Sequence, residues 1–108
     1  MSPYFSMHLI QLLLPLYDNT GTRFPQEPYL QVRNELVERF GGLTAYAQAP
    51  ASGLWQESDE RTVRDDLVIY EVMAEELDGV WWSQYRATLE LRFRQERLVI
   101  RAHPIRML

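Results

Sequence analysis

Asp78-Gly79-Val80-Trp81-Trp82-Ser83-Gln84-Tyr85-Arg86-Ala87-Thr88-Leu89-Glu90-Leu91-Arg92-Phe93 reads as a capped amphipathic helix. The run Arg97-Leu98-Val99-Ile100-Arg101-Ala102-His103-Pro104-Ile105-Arg106-Met107-Leu108 behind it reads as a closing strand. At about 100° per residue, Trp82, Tyr85, Leu89 and Phe93 fall within about 80° of one another, a single buried stripe. Such a stripe needs a sheet to lie on. A smaller apolar patch, Val80, Ala87 and Leu91, spans about 40° on the far side of the same helix. It calls for either solvent or a cover from the 18–28 loop or another subunit.

Upstream, residues 67–74 form a strand that is apolar on both parities except at Glu71. Residues 7–17 are likewise apolar on both parities, with Gln11 and His8 as the interruptions. Strands of this kind are covered on both faces. Between them, Tyr29, Val32, Leu36 and Phe40 make one face of a helix starting near Pro28 and ending at Gly41-Gly42. Residues 43–49 alternate, as a half-exposed edge strand does. Residues 50–66 hold Pro50, Gly53 and the polar turn Ser58-Asp59-Glu60-Arg61, which predicts an extended hairpin between the second and third strands. The order strand, helix, strand, strand, helix, strand predicts an α+β, ferredoxin-like βαββαβ domain over residues 1–108. Its two helices lie on one face of a four-stranded antiparallel sheet, with the first and third strands central. Two helices cover only one face of that sheet, so the doubly apolar central strands predict a homodimer through the other face. Folding of the N-terminus or the 50–66 hairpin over the sheet is the alternative.

The 108 residues suffice for one core and no more. There is no cysteine, which rules out disulfides, thiolate metal sites and thiol nucleophiles. All eleven basic residues are arginine, so Schiff-base lysines and Walker-type phosphate loops are absent. A net charge of −4 argues against a nucleic-acid partner. The opening residues contain no Lys or Arg before Arg23 and no small-residue cleavage site, and the apolar run is shorter than a membrane span. We expect a strand there, in a cytoplasmic protein without a membrane partner.

No strong catalytic motif is present. His8 and His103, the two histidines, fall on strands expected to be neighbours, and with Glu71 they are the candidate catalytic groups. Glu71 is the sharper of the three, because a carboxylate in an apolar central strand must be paired, protonated or functional. The histidines with Asp65, Asp66 or Glu71 offer nitrogen and oxygen donors to a divalent metal, but nothing in their spacing fixes them as ligands, so no metal or cofactor is assigned. Arg33, at the edge of the apolar arc of the first helix, is placed to bind a carboxylate or to lay its stem on the core. Tyr46, Trp55 and Arg64 complete the candidate contacts for a ligand or partner. The last two lie on the hairpin among charges, the usual look of a binding loop.

Gly41-Gly42-Leu43-Thr44-Ala45-Tyr46, Gly53-Leu54-Trp55, Val63-Arg64, Tyr85 and Arg92-Phe93-Arg94-Gln95-Glu96 together resemble a group of short bacterial proteins of unknown function. That group is marked by a Gly-Leu-Thr strand start, a Gly-x-Trp and a terminal Phe-x-Gln-Glu. The resemblance, over roughly residues 40–100, implies a βαββαβ frame and brings no activity with it. Members often carry an export signal, which is not read here. The expected function is therefore a homodimeric module that binds a small hydrophobic or acidic molecule, or a protein, without catalysis. The alternative is a cofactor-independent enzyme of the dimeric α+β barrel kind, an oxygenase or isomerase acting on a small hydrophobic compound.

Overall fold

The computed structural model describes residues 5–48 and 67–108. Among the described residues six elements follow in the predicted order: β1 (Phe5–Pro15), α1 (Glu27–Phe40), β2 (Thr44–Gln48), β3 (Leu67–Ala74), α2 (Gly79–Arg92) and β4 (Val99–Met107). The strands form one antiparallel sheet in the order β2-β3-β1-β4, with β1 and β3 inside. This is an α+β arrangement compatible with a ferredoxin-like fold. The predicted hairpin over 50–66 lies outside the described residues, and so does any cover it provides.

One parity of the central strands carries the core. Ile10, Leu12 and Leu14 of β1, with Tyr70 and Val72 of β3, pack under Val32 and Leu36 of α1 and Trp82, Tyr85 and Leu89 of α2. Phe24, Phe93 and Leu98 close the cluster at its ends. The stripe on α2 is thus buried as its spacing requires, and both helices share one face of the sheet.

Helix ends follow local chemistry. Asp78 adopts an extended backbone, and its Oδ1 accepts from the Trp81 N–H at 3.1 Å, satisfying one of the unpaired donors of the first turn. Arg39 stacks on the Trp81 ring at 4.1 Å and stands 3.9 Å from Asp78, tying the end of α1 to the start of α2. Replacing Asp78 with alanine is expected to cost about 1 kcal/mol of stability, measured by urea unfolding, because the cap is lost while the exposed ion pair adds little. Gly41 ends α1 at φ 83°, a left-handed conformation that suits glycine, and its N–H bonds the Val37 carbonyl at 2.8 Å. Helix α2 ends differently, on Arg94 at φ 51°, with the Gln95 N–H reaching back to the Glu90 carbonyl at 2.9 Å. The Arg94 guanidinium rests over Phe24 and faces Asp18 at 3.6 Å.

One expectation needs correction. Strand β1 stops at Pro15 and not at 17, because Asp18 closes a turn directly behind it. The Asp18 carboxylate accepts from the Thr20 N–H and hydroxyl and from the Thr22 N–H, at 2.7–2.9 Å, and the Phe24 N–H returns to the Leu16 carbonyl. The Tyr29 hydroxyl donates to the Pro15 carbonyl, and burial pushes this phenol up to about 12. On α2 the small patch takes the solvent option within this chain: the 18–28 loop leaves it open, with Val80 70% and Leu91 82% exposed. Leu91→Arg is accordingly expected to change stability by less than about 0.5 kcal/mol in thermal or urea unfolding.

Candidate functional site

The second face of the sheet carries the other parity. Leu9, Leu13, Ile69 and Met73 lie there with Val99 of β4, and the described helices lie on the opposite side. Met73 and Val99 remain 45% and 47% exposed, and Leu9 and Leu13 are half-buried. Ile69 is buried yet stands apart from the helix-covered cluster.

A row of polar side chains runs across all four strands of this face. Register brings Thr44, Glu71, Gln11 and Arg101 side by side on β2, β3, β1 and β4. Gln11 links the row: its Nε2 donates to Glu71 Oε2 at 2.5 Å, and its Oε1 accepts from Arg101 Nε at 2.8 Å. Tyr46, one pleat along β2, donates its hydroxyl to the same Glu71 oxygen at 2.8 Å. Glu71 thereby answers the question its position raised, since two donors meet it. Accepting the Tyr46 hydrogen bond, the Glu71 carboxylate holds this phenol above its ordinary value of 10, while the charge of Arg101 pulls the other way. The arrangement offers an incoming group a carboxylate, an amide, a phenol and a guanidinium. All are aligned on one strip and held by one another, with apolar ground on either side.

The candidate residues are distributed unevenly around this strip. Glu71 and Tyr46 belong to it. His103 shares its face, opposite Leu9, and is exposed. His8 is opposite Ala74 and Pro104 on the helix-covered parity, partly buried, with Nδ1 unbonded among the described residues. The two histidines are on adjacent strands as expected, but the sheet lies between them. A single centre using both is not formed. Arg33 is exposed on α1, on the helix side; burial raises the Tyr70 phenol above its ordinary value, and the Arg33 charge opposes that rise. Trp55 and Arg64 lie outside the described residues. No cluster of three or more His, Asp or Glu side chains suited to a metal ion occurs among the described residues.

Gln11 and Arg101 are the members that sequence reasoning missed. Gln11 was visible as the one polar residue on its parity of β1, but its role depends on register. A further polar group joins the helices on the other side of the sheet. Glu35 of α1 accepts two parallel bonds from the Arg92 guanidinium, at 2.8 and 3.0 Å, and one from the Tyr85 hydroxyl at 2.7 Å. Arg92 holds the Glu35 carboxyl below its ordinary value, and burial followed by the Glu35 bond raises the Tyr85 phenol. This clasp has both charges paired and serves packing of α1 on α2. At the end of α2, an open crease between Glu90 and residues 96–100 is similarly self-satisfied, the Leu98 N–H donating to Glu90 Oε2 at 3.0 Å.

No family model, curated protein or solved structure matches this chain. Among the described residues no helix is long and apolar enough to cross a membrane.

Proposed function

We propose that the protein is a ferredoxin-like homodimer, associated through the open face of its sheet, that binds a small hydrophobic or acidic molecule or a protein partner without catalysis of its own. The observation that carries this reading is the strip Tyr46-Glu71-Gln11-Arg101, four bonded polar side chains set in a half-exposed apolar face. Polar groups already fixed by one another lose little freedom on meeting a ligand, and apolar ground beside them supplies the area term. Such a face recognises compounds or surfaces that are flat, apolar and edged with a charge.

Sedimentation velocity at micromolar protein, with thermal shift against a panel of small aromatic acids, tests both halves. A dimeric mass and a melting temperature raised by at least one acid are expected, because a ligand that prefers the folded state must stabilise it. A monomeric mass with no shift across the panel sinks the reading. The enzyme alternative, a cofactor-independent oxygenase or isomerase of the dimeric α+β barrel kind, draws on one observation: Glu71 is oriented by Tyr46 and Gln11 as a general base would need to be. Glu71→Gln would then abolish turnover of a bound compound while leaving its binding in place.

A further inference from the structure

The strip carries one acid and one base, placed asymmetrically about its centre. Across the sheet the order is Thr44, Glu71, Gln11, Arg101. Below it run Tyr46, Ile69, Leu13 and Val99, and above it Met73, Leu9 and His103. Two such faces can meet about a twofold axis in two simple ways. An axis perpendicular to the strands lays each strand on its own copy, so that Glu71 faces Glu71 and Arg101 faces Arg101. An axis parallel to the strands, passing between β1 and β3, reverses the strand order and keeps each row against itself. Then Met73 meets Leu9, the already buried Ile69 lies over Leu13, and Glu71 lies across from Gln11 with Arg101 one strand further on.

Resting on the homodimer reading above, we infer that two copies pair face to face about this second axis, so that Glu71 of each binds Arg101 of the other. Facing sheets stand about 10 Å apart and neighbouring strands about 4.8 Å apart, a separation that a glutamate and an arginine bridge together. The face is self-complementary: apolar rows cover apolar rows, and each acid gains a base. Gln11, already bonded to both charges of its own chain, holds them at the spacing the partner needs. The row has no net charge, which makes a second copy a better fit than a strongly charged partner. Self-complementarity of this kind is the signature of an isologous interface.

Charge reversal tests the pairing. Glu71→Arg alone and Arg101→Glu alone are each expected to weaken the dimer about tenfold or more by sedimentation equilibrium. Combining both changes in one chain restores it, and mixing the two single variants yields a heterodimer tighter than either homodimer. Circular dichroism checks that each variant folds. Should one not fold, the wild-type protein still decides, because ion pairs between copies weaken with added salt while apolar contacts alone hold or tighten. A wild-type dimer indifferent to both reversals and to salt overturns the pairing and leaves the dimer. A wild-type monomer overturns the dimer itself.

Discussion

Phe93→Ala is expected to lower the free energy of unfolding by about 3–5 kcal/mol, the largest effect of any single truncation considered for this chain. The side chain is fully buried, 0% exposed, at the point where α2 ends. Its ring meets Phe24 edge-on at 5.4 Å between centroids and Tyr29 at 5.2 Å, so it joins the loop behind β1, the first turn of α1 and the end of α2. Alanine would leave a cavity bounded by three separate segments, none of which can collapse without dragging its neighbours. A loss of this size is a large share of the 5–15 kcal/mol typical of a whole domain. Urea unfolding measures it, and Phe93→Leu, which refills most of the volume, should cost less than half as much. Equal losses for the two variants would mean the ring contacts matter more than the space.

Glu35→Ala comes next, with an expected loss of about 2–3 kcal/mol near neutral pH, because it strands a guanidinium and a phenol that were both bonded to one carboxylate. The Arg92 side chain is only 15% exposed, so water replaces the missing acceptor poorly. The effect has a pH signature. Arg92 first, and the Tyr85 bond second, favour the ionised carboxyl and hold Glu35 below its ordinary value of 4.5. A depressed acid contributes stability that is fully present above the unfolded value and fades as pH falls through the folded one. The gap between wild type and Glu35→Gln should therefore stay constant from neutral pH down to about 4.5 and narrow below it. A gap that widens in acid would assign the stabilisation to some other group.

Much of the frame was legible because hydrophobic period and punctuation agreed. The limits of β3 matched the expected 67–74, α2 began behind its Asp78 cap, and α1 ended at Gly41. In each case a stop signal sits next to a change of period. The site was less legible, because it is a product of register. Parity alone says that Gln11 and Glu71 interrupt apolar faces. A shift of two residues between β1 and β3 would preserve that parity, keep the core buried and break the strip. The histidines show the reverse limit: adjacent strands were inferred, but one residue of register decides whether two side chains share a face, and here Leu9, not His8, stands opposite His103. The helix clasp was hidden for another reason. Glu35 reads as one of several acids on the polar side of α1, and only the angle between helices selects it for Arg92 and Tyr85. Trp55 and Arg64, chosen for their setting in the 50–66 hairpin, lie outside the described residues.

The composition of β4 has a consequence for how the sheet can grow. This strand is the outermost on its side, nine residues long, and most of its residues are exposed. A bare edge of that length is an invitation to lateral stacking and, at high concentration, to fibrous aggregation. Pro104 supplies no N–H to a would-be neighbour, and Arg101 and Arg106 bring like charges to any second β4 laid alongside. Lateral polymerisation is thus discouraged by the very strand that lends Arg101 to the open face. If two copies pair through the other face as proposed, a guarded β4 edge favours a closed pair over an open-ended assembly.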